Sequence, residues 1–265
     1  MPASPLTRAA TEALHRITSG EPDGAKLAAA LRHLAKWRAE LVANTISGRI
    51  GTVVSAGPFQ GMDYAVRAAE GSRSARLLGV YEASLAPVIE EIVSRDYPLV
   101  VDVGSAEGYY AVGLARRMPN ARVLARDDNP KARDLCRALA ERNGVADRVE
   151  VGGRMDHADF ALCLTARTVV ICDIEGAEAV LLDPARAPGL LHADILVECH
   201  DVIQPGLTTL LTDRFQTSHN VQRLDRSLDA STLPDWMEEW TDLDRLLALW
   251  EWRGGPTPWL WMTCK

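Results

Sequence analysis

From residue 99 to its end the chain alternates short apolar runs with helical segments. That alternation restricts the fold more than any other feature. The runs are LVVDV (99–103), ARVLA (121–125), RVEV (148–151), TVVICDI (168–174), DILVEC (194–199), VQRL (221–224) and WLWMTC (259–264). LVVDV and TVVICDI are nearly continuous in apolar residues, as strands covered on both faces are. A helical stretch after the first run ends at Met118 before Pro119. A second runs from Pro130 to Asn143, with Pro in its first turn and Gly144 just past its end. Residues 207–215 align Leu207, Leu210, Leu211 and Phe215 on one helix face. Strands separated by helices predict a parallel α/β sheet with helices on both sides.

The most informative stretch is Val100-Val101-Asp102-Val103-Gly104-Ser105-Ala106-Glu107-Gly108-Tyr109. A buried strand ends in a glycine-bearing turn that opens a helix, the usual ligand position of a doubly wound sheet. Gly104 permits a tight turn, Gly108 is expected to let the helix pack near the strand, and the helix N-terminus offers free N–H groups. It is not the dinucleotide fingerprint, which needs glycine where Ala106 stands. Asp102 suits a cationic ligand group, with a purely structural turn acid as the alternative. Asp127, 19 residues after Gly108 in Ala125-Arg126-Asp127-Asp128, is placed to accept hydrogen bonds from a ribose.

These residues resemble class I S-adenosylmethionine-dependent methyltransferases. The stretch Val170-Ile171-Cys172-Asp173-Ile174-Glu175-Gly176-Ala177-Glu178, followed by Ile195-Leu196-Val197-Glu198, resembles the FkbM-type branch, although Ser105 stands where that branch usually has Asn or Ala. The resemblance covers roughly residues 80–200. It implies a Rossmann-like methyltransferase sheet, mostly parallel with an antiparallel last strand, and S-adenosyl-L-methionine as cofactor. Asp102, Gly104, Ser105, Gly108 and Tyr109 would hold its methionyl part, and Asp127 and Asp128 the ribose. The loop Gly152–Asp156, Met155 included, would flank the adenine, and Asp173 would sit near the transferred methyl. Glu82 reaches the cofactor amino group or serves as a helix N-terminal acid; the two readings are equal.

Strand parity groups further acids. Asp173 shares a parity with Glu175, and Glu198 with His200, followed by Asp201. Methyl transfer to a hydroxyl releases a proton, and histidine titrates near neutrality. His200 is therefore the first candidate base, with Asp173 and Glu198 beside it; a strand-end histidine bonded for structure is the alternative. His219 and His157 follow. Asp173, Glu198, His200 and Asp201 could also bind a divalent metal, as in metal-dependent catechol methyltransferases. The Asn of that family is missing here, and no metal is expected.

Residues 1–80 read as an N-terminal helical and loop region, a lid, substrate wall or oligomer contact, ahead of a core over 81–265. Leu27, Leu31, Leu34 and Leu41 mark an amphipathic helix over 24–44. Residues 45–80 carry Gly48, Gly51, Gly57, Gly61, Gly71 and Gly79 and read as turns, short strands or a lid rather than a long regular element. A further helix is expected over about 82–94. Six of the seven tryptophans fall in the last 30 residues: Trp236, Trp240, Trp250, Trp252, Trp259 and Trp261. Core packing explains most of them, with an acceptor pocket or a homodimer surface as the alternative.

Composition then excludes classes. Net charge is −7, with no basic block, which counts against nucleic acid as a partner. No apolar stretch reaches membrane-spanning length, and MPASPLTRAATEALHR lacks a signal-peptide form. The five scattered cysteines form no CxxC pair, so a reducing, cytoplasmic setting is expected. The expected activity is O-methylation of a small molecule, a sugar or a natural-product intermediate. A non-catalytic S-adenosylmethionine-binding module and, less favoured, a nicotinamide-dependent oxidoreductase are the rivals.

Overall fold

The computed structural model describes residues 3–66 and 73–265; Gly71 lies outside them, as do the first two residues of the N-terminal segment. Seven strands form one sheet: β1 (Leu99–Val103), β2 (Arg122–Arg126), β3 (Val149–Gly152), β4 (Thr168–Cys172), β5 (Ala193–Glu198), β6 (His219–Leu224) and β7 (Trp259–Cys264). Their order is β3-β2-β1-β4-β5-β7-β6. The first five are parallel, while β7 runs antiparallel to both β5 and β6. The sheet is Rossmann-like, mostly parallel with an antiparallel last strand. All seven sequence runs become strands, with ends shifted by up to two residues. The chain leaves β1 in one direction and returns at β4 on its other side, so a cleft opens between them at their carboxyl ends.

Every residue of β1, β4 and β5 is buried. Side chains alternate between two apolar clusters, one on each face of the sheet. Val100, Val123, Val169 and Leu196 enter one cluster; Val101, Leu124, Val170 and Ile195 enter the other. The flanking helices are α4 (Ala86–Arg95), α5 (Tyr109–Arg117), α6 (Pro130–Arg142), α7 (Glu178–Leu181), α8 (Leu207–Phe215) and α9 (Asp242–Leu249). α6 starts as its sequence requires: the Asn129 side chain accepts the Lys131 N–H, with Pro130 in the first turn.

The N-terminal region holds α1 (Pro5–Ile17), α2 (Gly24–Ile50) and α3 (Arg73–Leu78). α1 was not expected from the sequence, and α2 runs six residues beyond its expected end before Gly51 stops it at φ +77°. Val42, Ile46, Phe59, Met62, Tyr64 and Leu77 are buried in the same cluster as Val100 and Ile171. The tryptophans fit this arrangement. Trp259 and Trp261 are buried on β7. Lys36 Nζ lies 4.6 Å from the Trp252 ring and the Arg49 guanidinium 4.5 Å from the Trp236 ring, so the tail clasps α2 through cation–π contacts. Trp236 sits on a short 3₁₀ turn (Asp235–Met237), not on a longer helix, with the Trp240 ring 5.6 Å away. Among the described residues, no helix is long and apolar enough to cross a membrane.

Candidate active site

A cavity of about 470 Å³ opens over the carboxyl ends of β1, β2 and β4. Its floor is the turn from Gly104 to Gly108. Gly104 sits at φ +82°, and a Cβ there would lie 1.7 Å from the Asp173 carbonyl oxygen, so only glycine lets the turn press against the β4 end. A Cβ on Gly108, at φ +91°, would meet Cys136 Sγ at 2.6 Å. The room at Gly108 therefore serves packing of α5 on α6, not the helix–strand contact expected from sequence.

Asp127 ties this turn in place. Its Oδ2 accepts the Ala106 N–H at 2.9 Å and its Oδ1 the Asn129 N–H at 2.8 Å. Each carboxylate oxygen keeps further acceptor capacity at the cavity wall, where the exposed Asp128 also stands. Asp102 is buried at 3% exposure. Its Oδ2 has no hydrogen-bond partner among the described residues, and neither has the buried Ser105 Oγ. Burial pushes the Asp102 carboxyl up to about 7. Met155, Tyr109 and Asp173 line the same cavity. Nearly all the residues assigned to the cofactor from sequence thus face one space.

The next residue in the turn was not assigned from sequence. Glu107 is fully buried, ion-paired with Arg76 at 3.1 Å and bonded to the Tyr64 hydroxyl at 2.5 Å. Arg76 in turn stacks 3.9 Å over the Tyr81 ring. The segment ahead of the sheet therefore anchors the turn from behind. No local spacing signals this contact, because Tyr64 is 43 residues away.

At the β4 and β5 ends, His200 is ringed by acids. Its Nδ1 bonds Glu178 Oε1 at 2.6 Å, and its Nε2 lies 3.5 Å from Asp173, 3.6 Å from Glu175 and 3.6 Å from Glu198. The convergence expected from strand parity is observed, but parity is not its cause. β4 ends at Cys172, and Glu175 turns back at φ +53°. Glu178, quoted in the motif without a role, is the organiser. It is fully buried, and its Oε1 also faces the Ile174 and Gly176 N–H groups at 3.4 and 3.2 Å. Burial disfavours the His200 cation, but the Glu178 hydrogen bond and the neighbouring carboxylates outweigh it and raise the imidazole above its ordinary value. The Asp173 carboxyl is pushed up to about 7, by burial first and then by the charge of Glu82. Asp173, Glu175 and His200 present ligand atoms all within 4.8 Å of one another, so this is where a divalent ion would find donors. Glu198 is committed elsewhere, to Arg253.

Arg253 is the main residue that sequence reasoning missed. Its guanidinium pairs with Glu82 and Glu198, with Glu251 at 3.1 Å, and with Thr257 Oγ1 at 2.6 Å. Glu82 also accepts the Tyr110 hydroxyl. The Glu82 side chain caps no helix and is already engaged, which displaces the helix-terminus reading; its backbone N–H donates to Glu251 at 2.8 Å. Burial pushes the Glu251 carboxyl up to about 7, with Glu82 adding to the shift. Two other residues leave the site, and His157 stays in its wall with its ring engaged. Asp201 accepts the Thr208 hydroxyl at the start of α8. His219 bonds the Ala193 carbonyl at 2.9 Å, at the opposite end of β5. His157 lines the cavity but is bonded to the Val180 carbonyl at 2.8 Å.

Comparison with known proteins adds the following. No family model matches the chain. A release factor glutamine methyltransferase from Chlorobaculum tepidum is 43% identical over 56 residues, which are 21% of this chain and 19% of that protein, so the match spans about a fifth of the relative's length. Among solved structures, an O-methyltransferase from Bacillus cereus in complex with SAH is similar at 12% identity. That match covers 97% of each chain with a TM-score of 0.47. The O-methyltransferase TomG from Streptomyces achromogenes, in complex with SAM, is similar at 12% identity, covering 85% of this chain and 89% of the other, with a TM-score of 0.45.

Proposed function

We propose that the chain is an S-adenosylmethionine-dependent methyltransferase that methylates an oxygen of a small molecule. The carrying observation is the cavity over the Gly104–Gly108 turn. Its floor holds a buried carboxylate oxygen, Asp102 Oδ2, that lacks a partner and suits an ammonium group. The residues present fit the cofactor. Asp102 and the turn backbone would hold its amino-acid end, Asp127 its ribose hydroxyls, and Met155 the face of its adenine. The bound sulfonium would supply an activated methyl group.

The chain's own residues have to orient the acceptor and take its proton. Asp173 is the better-placed base. It lines the cavity, and a carboxyl held near 7 accepts a proton at neutral pH. His200, the first candidate from sequence, is not in the cavity wall. It is held towards its protonated form by Glu178, and its role is to steady Asp173. With the methyl group supplied to the acceptor oxygen, Asp173 would take the proton that the hydroxyl gives up. The Asp173–Glu178 segment and Glu198 support the FkbM-type branch.

The test is a calorimetric titration of the full chain with S-adenosylhomocysteine and, separately, NADH. Micromolar binding of S-adenosylhomocysteine, with NADH far weaker, is expected; preference for NADH would overturn the reading. Labelled methyl transfer to any acceptor then separates an enzyme from a binding module.

A further inference from the structure

A second cavity, of about 250 Å³, lies against the first and shares Tyr81, Tyr109 and Tyr110 with it. We propose that this second cavity holds the body of the methyl acceptor, and that the acceptor is an uncharged, flat, apolar-bodied alcohol, neither a sugar nor an anion. The proposal rests on the methyltransferase reading and names its substrate class.

The wall determines the chemistry. Phe59, Val80, Leu85 and Ile89 supply apolar surface. The Phe59 ring stands edge-on to Tyr109 at 5.2 Å and to Tyr110 at 5.9 Å, an arrangement that offers ring edges and faces to a planar guest. Two hydroxyls of the wall are already engaged. The Tyr110 hydroxyl donates to Glu82, and the Thr232 hydroxyl donates to the Asp229 carbonyl at 2.6 Å. A sugar buried here would leave several hydroxyls unpaired, at roughly 1–3 kcal/mol each. The charged side chain in the wall is Glu82, which already carries Arg253. No cation of the wall, among the described residues, faces the cavity to balance a phosphate or carboxylate.

The position suits transfer as well. Glu82 belongs to the second cavity, yet its charge acts on Asp173 in the first, and the Asp173 charge acts on Tyr81, which lines both. An alcohol lodged among the aromatic rings can direct its hydroxyl past Tyr81 to Asp173. The enclosing loops are fixed tightly: a Cβ on Gly79 would lie 1.9 Å from the Ala56 carbonyl oxygen. The wall is therefore preformed.

The experiment uses the full chain saturated with S-adenosylhomocysteine, and 2-naphthol and methyl β-D-glucopyranoside as probes. Ligand-observed NMR and calorimetry should show 2-naphthol binding about tenfold or more tightly than the glucoside. Ala83→Trp, which fills the cavity, should weaken 2-naphthol about tenfold and leave S-adenosylhomocysteine affinity within about twofold. Ala86→Phe repeats the test should Ala83→Trp fail to fold. Equal or tighter binding of the glucoside, or 2-naphthol affinity unchanged in the folded variants, overturns the assignment. Failure of S-adenosylhomocysteine to bind the unaltered chain is a different result; it removes the methyltransferase reading and the acceptor assignment with it.

Discussion

The two halves of the cleft are built in opposite ways. Below β1 and β2, the ligand-facing groups come from consecutive residues: one strand end, one glycine-bearing turn, and one acid that closes a 2.9 Å bond back onto that turn. Beyond β4 and β5, they come from distant segments. Glu82 meets Arg253 across 171 positions, and His200 meets Glu178 across 22. A local half is fixed by backbone geometry, and a change there acts through sterics. An assembled half is fixed by charge pairing, and a change there acts through what is left unpaired.

Gly104→Ala gives the largest contrast. A Cβ 1.7 Å from the Asp173 carbonyl cannot be accommodated by a rotamer change, and φ +82° is itself unfavourable for alanine. S-adenosylhomocysteine binding should be lost altogether. Circular dichroism checks that the sheet survives, and retained binding would show that the turn is not the cofactor floor.

Asp173→Asn follows. A base positioned in the transition state contributes about 10²–10⁴-fold, so turnover should fall by that range while S-adenosylhomocysteine affinity changes only a few-fold. In the unaltered chain, activity should rise with pH through about 7, as the Asp173 carboxyl loses its proton. A pH–rate profile in which that limb persists in Asp173→Asn would assign the base elsewhere.

These differences explain what was legible in the sequence. The β1 turn, Asp127 and the Asp173–Glu178 segment could be read because their geometry is set within a few residues of chain. Even there, Glu178 received no role, since its partner His200 lies 22 residues on, past the end of β5. Arg253 carried no signal at all. Arg-Gly-Gly-Pro in a tail reads as a surface loop, and only the folded chain shows three carboxylates around it. Glu107 was hidden in the same way inside the motif itself, because Tyr64 and Arg76 come from a segment whose glycines read as turns, short strands or a lid.

Arg253→Met tests the assembled half directly. Removing one partner of a buried ion network costs about 3–5 kcal/mol, because the carboxylates left behind stay buried. At about 2–4 °C per kcal/mol for a chain of this size, Tm should drop by roughly 6 °C or more. S-adenosylhomocysteine affinity should stay within about threefold, since the β1–β2 half does not use Arg253. A large loss of affinity with Tm unchanged would show that the two halves are not independent.

Asp102→Asn has the smallest expected effect and sharpens the comparison most, because its two consequences have opposite signs. The folded carboxyl sits at about 7, above the ordinary value of 3.8, so the folded chain binds more protons than the unfolded one between those values. Stability from this group is full below about 4 and is lost as pH rises through about 7. Asn cannot ionise. At pH 8 the ligand-free variant should therefore melt a few degrees above the parent, and at pH 4 the two should coincide. Binding should move the other way, with S-adenosylhomocysteine weakened about tenfold at pH 8, because the unpartnered Oδ2 no longer offers a charge to an ammonium group. Paired thermal melts and titrations at the two pH values check both signs. If affinity and Tm at pH 8 both match the parent, Asp102 is only a turn acid, and the local half of the cleft owes its ligand preference to backbone shape alone.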